Sequence, residues 1–567
     1  MRTRVLTSVA SALVVVLVWI AASRGDSRHG MVPLPMDALP DAAFPAGVTT
    51  VVADAPLKTY RVNGESRTAR VVSAPATVTR TITVPRGGGL LGTYLSALTQ
   101  PAVLSVTVDD GAPQRFDAQP GVWTTVRVDL GRDTAPVRVV ERLEAPAGST
   151  VLWGDDRVSP TGSRPAAPDV IVITLDTVRP DYLTPYVPGL GTTPVLAQLA
   201  RQGTRFDQAI SVSSWTTPAH AALFTGQYPR RGLGFTERLE PSALTLAEIF
   251  SAAGYATVGR SGGPCIDSTF GFQQGFRTYH DSSNVKNADE MTQWALQRIT
   301  RVARGAPLFM FLNYFDAHEL NSGVTGEEWQ AADRGTVRLE GAALEHLRAA
   351  YRFDIAAIDR QLGRLFDGIR QARDWDNTIV VVVGDHGQLL GERGFVGHGF
   401  TLDEELIRIP LIVKGLPSSG LARRQYREQV QISDVFPLIL ELAGMRPAGS
   451  GSLTHKIVSG EPLRTLTFAS YHQPSRPEVT SLRRWVSETL EAVRTDSTKV
   501  VRDAEGRVTM YRLDGASETI VSSSPIGERL LAELRGRHPE TMPTLASTLL
   551  PLPADVADRL RALGYIH

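Results

Sequence analysis

The spacing of apolar and polar residues divides the chain into two textures. From about Val48 to Trp153 the two kinds of position alternate in "VVSAPATVTRTITVP", "AVLSVTVDDGAPQRF", "GVWTTVRVDLG" and "APVRVVERLEA", separated by turns such as Asp109-Asp110-Gly111. A period of two puts one face of each segment in a core and the other in water, so residues 48–153 predict a β-sandwich-like domain. Beyond residue 168 the pattern changes. "VIVITL" (Val170 to Leu175), "LFMFLNYF" (Leu308 to Phe315) and "IVVVVG" (Ile379 to Gly384) are nearly unbroken apolar runs, as expected of strands buried on both faces. Between the last two, Tyr351, Ile355, Ile358, Leu362, Leu365 and Ile369 recur at helical spacing. Buried strands alternating with amphipathic helices predict an α/β doubly wound sheet with flanking helices over residues 168–445, with a smaller C-terminal subdomain over 446–567. Proline-rich stretches at 30–47 and 154–167 read as a tether and a linker.

The N-terminus has its own pattern. A basic Met1-Arg-Thr-Arg precedes an apolar run from Val5 to Ala22, with the next charge at Arg24. Residues 1–29 therefore read as a signal peptide, with Ala21-Ala22-Ser23 a serviceable cleavage site, or as a retained membrane anchor through residues 5–22. Either reading places the rest of the chain outside the cytoplasm, in the periplasm, secreted or anchored.

Composition narrows the function classes. Lys plus Arg and Asp plus Glu both total 59, so no bulk charge draws the chain to nucleic acid. Any anionic substrate must be recognised locally. Cys265 is the single cysteine, which rules out an internal disulfide and a cysteine metal cluster; a structural or surface thiol is expected.

The chemistry sits where the apolar runs stop. "VIVITL" leads into Asp176, "LFMFLNYF" into Asp316-Ala317-His318, and "IVVVVG" into Asp385-His386-Gly387. Sites in open α/β sheets gather at the carboxyl ends of strands. A carboxylate among such apolar neighbours is costly unless it is partnered. A salt bridge to Arg179 would satisfy Asp176 alone; one shared divalent cation would satisfy all three strand ends, with oxygen and nitrogen ligands suited to Zn, Mn or Fe, or to Ca where oxygen dominates. Ahead of the short helical run Ala219 to Phe224, "SSWTTPAH" offers two hydroxyls before a proline. Proline favours the first helical position, so Thr217 is expected as the cap and Pro218 as the first helical residue, leaving Thr216 free outside an anion-favouring helix mouth. Glu404, Glu405 and Asp354 read as solvated helix faces. His398 lies in a glycine-flanked loop, where a surface role competes with a functional one. His220 is open between anion contact and packing, and Trp215 between pocket wall and core.

Together, "ITLDTVRPDYL", "SSWTTPAHAALFTGQYP", "FLNYFDAH", "VVVVGDHGQLLGERGFVGHGFTLDEELIRIPLIVKG", "QISDVFPLILELAG" and "RLRALGYI" resemble, in order and spacing, the sulfatase branch of the alkaline phosphatase superfamily. The resemblance spans 168 to about 450, and the β-rich N-terminal region lies outside it. It implies a metal held by Asp176, Asp385 and His386, with Thr216 as the nucleophile that touches it. It implies a second-metal or anion-pocket role for Asp316 and His318, and second-metal or leaving-group work for His398. Arg260 falls near a substrate-binding lysine of the family, and His220 replaces an arginine of its modification motif.

The chain departs from the family pattern in two places. Sulfatases carry Cys or Ser, any residue, Pro, any residue, Arg, and oxidise the first residue to formylglycine; here Thr216-Thr217-Pro218-Ala219-His220 stands in that place. Threonine cannot give the aldehyde, so no formylglycine is expected. Thr177 also occupies the place of a second ligating aspartate. A threonine ester must be released by water, which is ordinary for phosphoryl groups. The sequence therefore predicts a metal-dependent hydrolase of sulfate or phosphate/phosphonate esters of a small molecule, glycan or lipid, using one or two divalent ions. Two alternatives are a phosphoethanolamine-type transferase acting on an envelope lipid or glycan, and a catalytically silent envelope protein that binds an anionic glycan.

Overall fold

A computed structural model describes residues 32–33, 49–52, 58–536 and 547–549, except for 85–87, 132–135, 155, 161–166, 229–236, 240–242, 282–286, 304, 319–338, 446–451, 473–488 and 516. The leader-like run 5–22 and the motif "RLRALGYI" lie outside the described residues. Among the described residues no helix is long and apolar enough to cross a membrane.

The alternating segments form strands β1 (Glu65–Ser73), β2 (Ala76–Thr83), β3 (Gly89–Ala97), β4 (Ala102–Val108), β5 (Gln114–Ala118), β6 (Thr124–Asp129), β7 (Pro136–Glu144) and β8 (Thr150–Gly154). Strands β2, β7, β4 and β5 make one antiparallel sheet. It packs on the sheet containing β6, β3, β8 and β1 through Val72, Leu91, Leu104, Val126, Val139 and Trp153, all buried. This is the sandwich that the period-two pattern predicts. The alternation did not show that the sandwich shares a sheet with the rest of the molecule.

The apolar runs become β9 (Asp169–Leu175), β11 (Ala256–Arg260), β13 (Leu308–Tyr314) and β14 (Thr378–Gly384), joined by β10 (Thr204–Ile210), β12 (Thr278–His280), β15 (Arg408–Lys414) and β16 (Arg424–Gln431). Their order is β1-β12-β11-β13-β9-β14-β15-β10-β16. The run from β12 to β14 is parallel, and β12 meets β1 antiparallel through Tyr279 opposite Ser66 and His280 opposite Glu65.

Helices cover both faces, as a doubly wound sheet requires. On one lie α2 (Thr216–Thr225), α3 (Leu246–Ala252) and α6 (Val435–Leu442); on the other lie α1 (Pro194–Gln202), α4 (Ala288–Arg301) and α5 (Gly341–Ala372). Alternate strand residues serve the two cores. Val170, Val172, Phe309, Phe311, Val381 and Val383 face α2, whereas Ile171, Ile173, Met310, Leu312, Val380 and Val382 face α5. Each such side chain stabilises the fold by roughly 1.5–3 kcal/mol relative to exposure.

Five antiparallel strands, Thr467–His472, Thr489–Arg494, Thr498–Asp503, Val508–Asp514 and Ser517–Val521, form the C-terminal subdomain, backed by the helix Pro525–Gly536. It is fixed to the central body by a residue expected to face solvent. Glu404 is buried and bonds the equally buried Arg494 at 2.9 Å, with Lys499 at 3.5 Å. Asp354 is buried too. Helical periodicity marks a polar residue for the water side, but a later element covers that side here. Cys265 is buried and outside any disulfide, and its backbone carbonyl accepts from Thr217 Oγ1 at 3.0 Å.

Candidate active site

Strand register assembles the site. Thr174 of β9 pairs with Asn313 of β13 and Val383 of β14, and Leu175 with Tyr314 and Gly384. Counting in twos from Val172 and Val383, Asp176 and Asp385 continue the side that faces α2. Asp316 continues the opposite side, in step with Leu312 and Tyr314.

The structure follows this register. Asp176, Asp385 and His386, all fully buried, bring one ligand atom each within 4.8 Å of one another. Asp316 instead accepts from Ala288 N at 2.7 Å, at the first turn of α4. Burial, eased by that bond, raises its carboxyl. Asp316 is therefore not part of the three-residue group.

Every side chain in the group is aimed by a further bond. Asp385 Oδ1 accepts from the N–H of His386 at 2.8 Å and of Thr177 at 3.1 Å, while Oδ2 has no hydrogen-bond partner. Asp176 Oδ2 accepts from Asn313 Nδ2 at 3.3 Å, while Oδ1 has none. His386 Nδ1 donates to the carbonyl of Gly387 at 2.9 Å, which leaves Nε2 carrying a lone pair. Three lone-pair atoms thus converge in a closed, apolar setting. Burial first, and then the charge of Asp385, push the Asp176 carboxyl well above its ordinary range, with Asn313 offsetting part of the effect. This donor set, two carboxylate oxygens and an imidazole nitrogen, fits a divalent cation.

The turn that presents Asp176 is held against a local preference. Thr177 sits at φ 57°, unusual for a β-branched residue. Tyr351 Oη on α5 donates to its carbonyl at 2.6 Å, and its own hydroxyl donates to Asp176 O at 2.7 Å. Gly387 is required by space, since a Cβ there would lie 1.9 Å from the carbonyl oxygen of Glu405.

Helix α2 delivers the hydroxyl. It begins at Thr216, with Trp215 as an extended N-cap, rather than at Pro218 with Thr217 capping. The capping expectation fails because Thr217 Oγ1 is used on Cys265 O, and because the first turn leaves its N–H groups unpaired wherever proline stands in it. Thr216 is therefore the first helical residue. Its Oγ1 lies 3.2 Å from His386 Nε2, and only Oγ1 has a proton to give to that lone pair.

His220 lies one turn on and is fully buried. Its Nδ1 donates to Thr216 O at 2.9 Å and stands 3.6 Å from Asp385 Oδ2; its Nε2 meets Thr174 Oγ1 at 3.1 Å. Burial holds the imidazole pKa below the ordinary value, with Asp385 partly opposing, and Phe272 and Phe311 meet the ring edge-on. Both ring nitrogens are engaged within the protein, so His220 packs behind Thr216 instead of meeting an anion. Arg260 is likewise placed elsewhere. In step with Ala256 and Val258 it turns to the α4 side, where Nη2 bonds Glu290 Oε1 at 2.6 Å and the guanidinium stands 5.7 Å from the Trp294 ring.

His398 and His318 flank the group. The His398 ring centroid lies 4.6 Å from that of His386 and 4.8 Å from that of His318, and His318 stacks on Phe315 at 4.2 Å. The N–H of Gly399 donates to Ser214 O at 3.0 Å, binding this loop to the entry of α2.

Asn313, Thr174 and Tyr351 escaped the sequence reading. Asn313 Nδ2 also bonds Thr174 Oγ1 at 3.0 Å, and its Oδ1 accepts from the N–H of Gly262 and Gly263 at 3.0 and 3.1 Å. The available signal was an amide inside "LFMFLNYF", a polar group that a fully buried strand tolerates only with partners.

Residues 168–445 match the Sulfatase family model. This part of the chain is a sulfatase domain. Its relatives are sulfatases and other alkaline phosphatase superfamily proteins, which supports a sulfuric or phosphoric ester hydrolase. The chain is 22% identical over 400 residues to the multifunctional alkaline phosphatase superfamily protein PehA of Trinickia caryophylli, covering 52% of this chain and 78% of that one. It is 22% identical over 351 residues to the choline-sulfatase of Rhizobium meliloti, covering 49% and 68%. Its fold is similar to the phosphonate monoester hydrolase of Agrobacterium radiobacter, with a TM-score of 0.51 at 19% identity over 68% of this chain and 98% of that one.

Proposed function

We propose that the protein is a metal-dependent hydrolase of phosphate or phosphonate esters, and secondarily of sulfate esters, in which Thr216 forms a covalent intermediate. The observation that carries this reading is the 3.2 Å approach of Thr216 Oγ1 to His386 Nε2, beside the partnerless oxygens of Asp176 and Asp385. These three side chains would hold the cation. When bound, it would supply Lewis-acid charge, which lowers the pKa of a hydroxyl and steadies negative charge on a phosphoryl or sulfuryl oxygen.

The chain's own residues do the rest. Thr216 Oγ1 gives up its proton to solvent water and bonds to phosphorus or sulfur as the bond to the alcohol oxygen breaks. His220 keeps Thr216 in place through its carbonyl, and the first turn of α2 offers backbone N–H groups to the anion. His398 or His318 gives the departing alkoxide its proton. Water then cleaves the threonine ester and releases the oxyanion. A small molecule or a glycan suits the substrate class of the relatives, and the leader-like run 5–22 supports action outside the cytoplasm.

The test is a panel of phosphate monoesters and diesters, phosphonate monoesters and sulfate monoesters, assayed with the full chain after chelation and after return of Mn, Zn, Fe or Ca. Phosphorus esters should turn over faster than sulfate esters, and only with metal present. Efficient sulfate ester hydrolysis by unmodified protein would overturn the preference. An added alcohol that captures the covalent group would instead indicate a transferase.

A further inference from the structure

Where β10 and β16 begin, the exposed side of α1, the segment 184–189 and the mouth of β16 surround an open groove of about 890 Å³. That volume lies high in the range of about 300–1,000 Å³ that ligand sites take. Arg201 at the end of α1, Arg205 in β10, and Arg423 and Arg424 at the start of β16 line it. Among the described residues no acidic side chain does.

The four arginines are met unequally. Arg205 bonds Asp207 Oδ1 at 2.8 Å and the carbonyl of Pro185, and its guanidinium stands 5.5 Å from the Tyr186 ring. Asp207 answers Arg205 alone, since its other oxygen accepts from Gln425 Nε2 at 2.6 Å. Arg424 is used on neutral groups, the carbonyls of Gly420 at 2.6 Å and Val458 at 2.8 Å. Arg201 and Arg423 are exposed, and among the described residues neither guanidinium has a hydrogen-bond or ion-pair partner. Three positive groups without a bonded carboxylate thus share one concavity, in a chain whose acidic and basic residues are equal in number. A concave surface of one sign focuses its field on an entering counter-charge.

We propose that this groove holds an acidic glycan, a sugar chain carrying sulfate or phosphate esters. Guanidinium groups bind such tetrahedral oxyanions through paired, charge-assisted hydrogen bonds. The lining also carries the amides of Gln198, Gln202 and Gln425, which match sugar hydroxyls as donors and acceptors. No aromatic ring lines the groove among the described residues, so it lacks the stacking platforms on which single-stranded nucleic acid lies. The groove is separate from the hydrolytic centre. Arg424 pairs with Thr204, Thr204 with Val413, and Val413 with Val381. Asp385 follows Val381 by four residues, three strands away from Arg424, which sets the two roughly 20 Å apart. A glycan held here is an anchor, not the ester under attack, and the assignment does not depend on how Thr216 reacts.

The test uses the full chain carrying Thr216→Ala and Asp385→Asn, which silences the hydrolytic centre, in calorimetry with sucrose octasulfate, inositol hexakisphosphate, sucrose and a short oligothymidylate. One of the two polyanionic esters should bind at one equivalent and sucrose should not; the tighter of the two tells sulfate from phosphate. Adding Arg201→Gln and Arg423→Asn should weaken binding about tenfold or more at unchanged Tm. Asparagine suits position 423 because the backbone there is left-handed, with φ 59°. Arg529→Gln with Arg535→Gln, both exposed on the last helix, should leave the affinity as it was. Absence of the bound equivalent, equal affinity after loss of Arg201 and Arg423, an equal loss in the control pair, or oligothymidylate binding as tightly as the esters would overturn the proposal.

Discussion

Asp385 Oδ2 lies 3.3 Å from His386 Nε2, two fully buried atoms that both present lone pairs. Side by side they repel, and the fold holds them there by bonding Asp385 Oδ1 to two backbone N–H groups and His386 Nδ1 to a carbonyl. Such an arrangement should be stabilised by a cation and strained without one. Chelation should therefore lower Tm by several degrees, recovered on adding metal, since binding to the folded state alone adds RT ln(1 + [L]/Kd). Asp385→Asn should remove the chelator response and melt above the chelated parent. A Tm indifferent to both treatments would refute the site.

Thr216→Ala should lower kcat by about 10³-fold or more, while the hydroxyl-bearing Thr216→Ser should keep much of it. The cavity left by a missing methyl is small beside that loss, so Tm should change little. Mass spectrometry of a quenched reaction should find phosphate on the peptide containing Thr216 in the parent and none in the alanine variant. Label on another residue would reassign the nucleophile.

Asn313 makes four bonds, one each to Asp176, Thr174, Gly262 and Gly263. Asn313→Leu keeps the volume but leaves buried polar groups unanswered, at about 1–3 kcal/mol for each one stranded. The variant should be destabilised and should bind metal less tightly, because Asp176 loses its bracing. Asn313→Asp should be worse for turnover, as it adds a third carboxylate and removes both amide donors. Wild-type metal affinity in either variant would show that Asp176 is oriented otherwise.

What the sequence disclosed and what it hid divide along physical lines. Asp176, Asp385 and His386 were legible because a charge at the end of an apolar strand needs a reason that the local sequence can state. Asp316 carries the same local signature, yet its side chain turns to α4; one step of register decides the face, and register belongs to the pairing of strands. Arg260 was misplaced for the same cause. His220 stayed open between anion contact and packing because sequence cannot tell which side of α2 meets the sheet. Glu404 appeared solvated until the C-terminal strands were laid over it. The sandwich could be read from its alternation, but its fusion to the central sheet rests on two residue pairs, Tyr279 with Ser66 and His280 with Glu65, and edge pairing has no sequence period.

The sandwich core carries its own pH dependence. Arg80 meets two buried carboxylates, Glu141 and Asp156, so the three together are net negative. Burial and the charge of Asp156 raise the Glu141 carboxyl from 4.5 to about 8, with Arg80 opposing. Between those values the folded chain holds a proton that the unfolded chain has lost. Folding takes up that proton, so stability falls as pH rises from about 4.5 to 8. Glu141→Gln should flatten Tm across this window and raise it at pH 8. A parallel fall of Tm in the variant would place the effect elsewhere.

His398 and His318 divide their effects by leaving group. A nitrophenolate departs without a proton, whereas an alkoxide needs one, so loss of the general acid should be felt mainly with alkyl esters. His398→Gln should slow an alkyl phosphonate ester about 10²-fold or more and a nitrophenyl ester far less, and should remove the alkaline limb of the kcat profile for the alkyl substrate alone. His318→Gln is the internal comparison. It stands beyond His398, stacked on Phe315, and loss of its ring should shift the pH profile without imposing the same dependence on leaving group. Equal losses with both esters in His398→Gln would assign that residue to binding the cation or the oxyanion, and the proton donor would then have to be His318.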